Sequence, residues 1–68
     1  MATGTVKWFN ETKGYGFISP DEGGQDAFVH ISEVQRSGLH RLSEGQRIAF
    51  TIREEARGLK AVDLSAPD

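Results

Sequence analysis

Arg47, Ala49, Thr51 and Arg53 alternate with Ile48, Phe50 and Ile52 along residues 46–53. Successive side chains of a strand point to opposite faces, so this pattern predicts a strand with an apolar face on a core and a polar face in water. The same period of two organises residues 15–19: Tyr15, Phe17 and Ser19 share one face, Gly16 and Ile18 the other. At residues 26–30, Val29 and then Ile31 oppose Asp26, Phe28 and His30. Runs at 3–10 and 60–64, rich in β-branched and apolar residues, complete five predicted strands. Turn-forming clusters separate them: "ETKG" at 11–14, "PDEGGQ" at 20–25 and "EEARG" at 54–58. Residues 31–45 form the longest connection. Its most helix-like piece, "HISEVQR" at 30–36, is too short to stand alone as a helix. The "SG" at 37–38 and "EG" at 44–45 predict an irregular loop there.

Short strands with regular turns point to an all-β sandwich or barrel. With five strands, closure into an antiparallel barrel is the expectation, because it removes edges that would otherwise pair with other chains. The core then comes from Val6, Ile18, Val29, Ile31, Ile48, Phe50, Ile52, Val62 and Leu64. If Ile18 and Val29 face inward, Tyr15, Phe17, Phe28 and His30 face outward together. In the first strand Val6 and Trp8 share parity, yet Val6 belongs to the core. A bulge at Lys7 resets the alternation and turns Trp8 toward the other rings; the competing reading buries Trp8 as an anchor.

Composition sharpens this picture. Aromatics make up 9% of the chain, and of the six only Phe50 lies outside residues 8–28. A core shared evenly among five strands would spread its large side chains more widely. The 68 residues make one domain, 1–68, with a small core and no cysteine to staple it. Low stability for a domain of this size is therefore expected. No cationic stretch precedes an apolar run at the N-terminus, and no apolar run reaches membrane-spanning length, so a cytoplasmic protein is expected. The net charge of −2 argues against a protein that holds nucleic acid by bulk positive charge. It leaves room for a local basic patch, and Lys7 and Lys13 lie among the rings.

Exposed rings flanked by lysines suit unpaired nucleic-acid bases. Each base stacked on an aromatic side chain contributes about 1–3 kcal/mol, and any base serves, since every base has a π-face. A duplex hides those faces, so the expected partner is a single strand. The bland alternatives are core packing of Tyr15, Phe17 and Phe28, and a protein-binding patch made of the same rings. His30 joins the ring face by parity and either stacks or donates to phosphate, in which case binding tightens as pH falls. His40 reads as a solvated loop residue.

The stretches "GTVKWFNETKGYGFI" and "DAFVHISEV" strongly resemble the bacterial cold-shock domain family. "KGYGFI" is similar to the family's first ribonucleoprotein-type motif and "AFVHI" to its second. The likeness runs from about Gly4 to Leu64. It implies a five-stranded OB-fold barrel that binds single-stranded RNA and DNA with little sequence preference. It also implies RNA-chaperone activity affecting transcription antitermination and translation. The family's binding positions fall on Lys7, Trp8, Lys13, Tyr15, Phe17, Phe28 and His30, with Phe9 as a partly buried contributor and Asn10 near the site. Ile31 and Leu39 stand where many members carry aromatics, so stacking there should be weaker. In "RGLKAVDL", Leu59 and Lys60 replace the family's usual proline and glutamine, and Lys60 adds a phosphate contact.

No catalytic constellation stands out. "GYG" lacks the third glycine and the following helix of a dinucleotide fingerprint. Glu54 and Glu55 read as solvated turn residues. Two histidines without cysteine do not make a metal site of the common kinds. A monomer without enzyme activity, cofactor or metal is the expectation.

Overall fold

The computed structural model describes residues 2–67; Met1 and Asp68, the ends of the expected domain, lie outside that range. Five strands form: β1 (Ala2–Asn10), β2 (Tyr15–Pro20), β3 (Ala27–His30), β4 (Arg47–Glu55) and β5 (Gly58–Ser65). They close into a barrel in the order β1-β2-β3-β5-β4. The expected OB-type barrel is thus present, with one difference of direction. Four neighbouring pairs run antiparallel, but β3 and β5 meet in parallel, through Phe28 opposite Lys60. A barrel with an odd number of strands cannot alternate direction all the way round, so one parallel seam is unavoidable.

The second difference lies between β3 and β4. Residues expected to be loop begin with a six-residue helix, α1 (Ile31–Arg36). It is too short to hold by propensity, and local bonds secure it. At its start the Ser32 amide donates to His30 Nδ1 at 3.1 Å, and the Ile31 amide donates to the Gly14 carbonyl at 2.8 Å. At its end the Ser37 hydroxyl donates to the Val34 carbonyl at 2.8 Å. Val34 is fully buried and anchors the helix in the core, as Leu42 anchors the loop that follows.

Most of the predicted core is confirmed: Val6, Ile18, Val29, Ile48, Phe50, Val62 and Leu64 are buried. Ile52 is not, with 38% of its surface exposed. It keeps the expected parity, but among the described residues β1 pairs with β4 only over Arg47 to Phe50. Beyond Phe50 the β4–β5 hairpin runs past the end of the barrel, and Ile52 goes with it. Ile31 is half-buried over the β1–β2 turn, with its side chain against Gly14. Ala49, expected to face solvent, is buried.

The bulge at Lys7 is present. Val6 lies opposite Ile18 and Trp8 opposite Phe17, so Lys7 is the extra residue of β1. The bulged strand presses on Gly16 of β2. A Cβ added there would strike the Trp8 carbonyl oxygen and lie 2.7 Å from the Phe9 Cα. Backbone approach this close needs a residue without a side chain. A further tie holds the open end of β1: the Val6 amide donates to the Gln46 carbonyl and the Gly45 amide to the Val6 carbonyl, each at 2.8 Å.

Candidate nucleic-acid interface

The bulge, the register of β2 and β3, and the barrel's curvature bring the rings into one patch. Phe17 lies directly opposite Phe28, and Tyr15 opposite His30. Side chains at opposed positions of antiparallel strands stand on the same face and touch. Trp8 sits 5.4 Å from Phe17 and 5.7 Å from Tyr15, centroid to centroid. Phe28 sits 5.8 Å from Phe17 and 5.7 Å from Tyr15, closing a four-ring cluster. His30 extends it, 6.4 Å from Phe28.

None of these rings is sealed in the core. Tyr15, Phe17 and Phe28 are half-buried, His30 is exposed, and 39% of the Trp8 surface is open. Edge-to-face contacts of Trp8 with Tyr15 and Phe17 and of Phe17 with Phe28, and a tilted contact between Tyr15 and Phe28, hold the rings against one another while each stays partly open to solvent. The patch is preorganised, so little side-chain freedom remains to be lost when a planar ligand stacks on it.

Phe9 lies on the core side of the cluster. It is half-buried and packs against the core, opposite Gly16. Asn10 shapes the neighbouring turn: its side-chain oxygen accepts from the Lys13 amide at 2.9 Å, and its carbonyl accepts from Gly14 at 2.8 Å. Gly14 takes φ +83°, a conformation other residues adopt only with strain, and so lets the turn deliver Lys13 beside Tyr15. His30 caps α1 through Nδ1, which directs Nε2 away from the helix and makes it the free ring nitrogen. That assignment follows from the hydrogen-bond pattern.

The β4–β5 hairpin adds a wall that parity alone does not disclose. A groove of about 380 Å³ is lined by Phe17 and Phe28 together with Arg57, Leu59 and Lys60. Gln25, Asp26, Glu55 and Gly58 complete its lining. Lys60 arrives there because it pairs with Phe28 across the parallel seam. Arg57 and Asp26 line the groove, and the residues picked from the sequence do not include them. For Asp26 a signal exists, since its parity with Phe28 puts it on the ring face. For Arg57, in a turn, no local signal tells that it meets rings some thirty to forty residues earlier in the chain.

The charges around the patch are unevenly committed. Lys7 Nζ lies 3.0 Å from an Asp26 carboxylate oxygen. Arg36 pairs with Glu33, Arg41 with Glu11, Arg47 with Asp21 and Arg53 with Glu55. Among the described residues, Lys13, Arg57 and Lys60 are left without a carboxylate partner; Arg57 and Lys60 line the groove, and Lys13 lies in the turn two residues before Tyr15. Among the same residues no cluster of three or more His, Asp or Glu is arranged to hold a metal ion. No helix among them is long and apolar enough to cross a membrane.

Comparison with known proteins agrees with this geometry. The model of the "Cold-shock" DNA-binding domain matches residues 2–67. The major cold shock protein of Streptococcus pyogenes is 55% identical over 65 residues, which is 96% of this chain and 96% of the relative. The cold shock-like protein CspA of Vibrio cholerae is 53% identical over 94% of this chain and 91% of its own length. The cold shock-like protein CspE of Escherichia coli K12 is 51% identical over 93% of this chain and 91% of its own length.

Proposed function

The chain belongs to the "Cold-shock" DNA-binding domain family, and from that premise we propose that it binds single-stranded RNA and DNA with little sequence preference, passively and without catalysis. The observation that carries the reading is the bare four-ring cluster of Trp8, Tyr15, Phe17 and Phe28, extended by His30. Bases stack on these rings. Lys13 and Lys60 meet phosphates, while Lys7 stands at the ring face paired with Asp26. Phe9 supports the cluster from the core side, and Asn10 holds the turn that carries Lys13.

Stacking at about 1–3 kcal/mol per base gives micromolar-class binding to short oligomers, rising with length as more bases engage. A captured strand cannot pair with itself. Mass action therefore draws RNA from hairpin to open form without ATP, which is the chemistry of an RNA chaperone and reaches both transcription antitermination and translation. A cytoplasmic monomer is sufficient for this work.

Trp8 reports on the proposal directly. Titration with oligothymidine should quench its fluorescence, while a blunt duplex of equal length should leave it nearly unchanged. Equal quenching by both would point to phosphate binding without stacking. No response to either would favour a protein partner for the rings.

A further inference from the structure

Five of the eight cations in the chain are neutralised by carboxylates, and one of these five, Lys7, stands at the ring face itself. We propose that Asp26 restrains the electrostatics of the binding face: it holds Lys7 in an ion pair and leaves phosphate contact to Lys13, Arg57 and Lys60. The inference rests on single-strand binding as proposed above and assigns which charges serve it.

The physical argument concerns net charge. Lys7 and Asp26 lie 3.0 Å apart with their side chains 59% and 31% exposed. An exposed pair of this kind is worth about 0–1 kcal/mol, so a phosphate can draw Lys7 away. Doing so strands Asp26 as a bare carboxylate on the wall of the groove, beside the incoming polyanion. The attraction between Lys7 and phosphate is then offset by the repulsion from Asp26. The pair thus adds nearly nothing to the pull on a strand.

The three unpartnered cations have no such offset. Lys13 sits in the β1–β2 turn beside Tyr15; Arg57 and Lys60 line the groove beyond Phe17 and Phe28. A strand whose bases stack across the cluster therefore passes the groove with Arg57 and Lys60 and lies within reach of the turn that carries Lys13. Glu55 also lines the groove, but Arg53 holds it at 3.8 Å. Lys60 and Arg57 therefore supply the unpartnered positive charge of a groove that they line together with Phe17 and Phe28.

Salt dependence counts charges. For single strands the slope of log K against log salt is about −0.7 per phosphate neutralised, so three cations give a slope of about −2. Titrating oligothymidine against Trp8 fluorescence between low and moderate salt measures it. Lys60→Gln should weaken binding and flatten the slope by about 0.7. Asp26→Asn should tighten binding at low salt and steepen the slope to about −2.8, because Lys7 becomes a fourth free cation. Adding Lys7→Gln to Asp26→Asn should return the slope to about −2. Circular dichroism on each variant verifies the fold. An unchanged slope in Asp26→Asn overturns the inference. So does a slope that stays steep in the double variant, since the tightening would then come from loss of a negative charge alone. Binding with the wrong slopes defeats only this inference; absence of any quenching in the unaltered protein defeats the single-strand reading with it.

Discussion

At the level of single residues, Asp21 shows how many strands one exposed side chain can join. It follows β2, and Arg47 of β4 reaches it through two guanidinium nitrogens at 2.6 and 2.7 Å. The Thr3 hydroxyl of β1 donates to it as well, at 2.8 Å. Hydrogen bonds from Arg47 and then Thr3 lower its pKa from 3.8 to about 2. The folded state therefore favours the ionised form more than the unfolded chain does. The stability this contributes is full above about pH 4 and is lost as pH falls toward 2. Thermal unfolding should accordingly show Asp21→Asn less stable than the unaltered protein at pH 6, with the gap closing between pH 4 and pH 2. A gap independent of pH would mean that the three-strand contact does not form in solution.

At the level of elements, β1 and β2 are the pair on which the site depends. The bulge at Lys7 turns Trp8 outward, and Gly16 makes room for the bulged backbone. Gly16→Ala places a methyl group against backbone that has nowhere to move. Overpacking of this kind costs about 1–3 kcal/mol, so the variant should unfold at clearly lower urea. An unchanged midpoint would show that the crossing is looser than described. These elements are readable in the sequence because alternation in residues 15–19 and 26–30 is clean and the shared parity of Val6 and Trp8 favours a bulge over a buried Trp8. Alternation fails in β4, where it assigns Ile52 to the core. Parity says which way a side chain points, but not where the barrel ends. Periodicity also says nothing useful about α1, because six residues are less than two turns. Its stability comes from contacts with Gly14 and from buried Val34 rather than from a pattern of its own.

At the level of the whole molecule, the barrel works as a frame that exposes apolar rings without exposing its core. Val6, Ile18, Val29 and Phe50 seal the interior while Tyr15, Phe17 and Phe28 stand on the outer face. The ring face is legible in the sequence; the groove beside it is not. Arg57 and Lys60 meet Phe17 and Phe28 only because β5 closes the barrel against β3, a long-range pairing that leaves no local mark. The net charge of −2 conceals the same arrangement, since Arg36, Arg41 and Arg47 are held in ion pairs on other surfaces while, among the described residues, Arg57 and Lys60 line the groove without a carboxylate partner. An acidic chain can thus present a face that attracts a polyanion. The most direct test of that face is oligothymidine binding by a Phe17→Ala/Phe28→Ala variant, read by Trp8 fluorescence on protein whose cooperative unfolding shows it to be folded. Losing two stacks should weaken binding by at least about 30-fold. A folded double variant that binds as tightly as the unaltered protein would contradict the account.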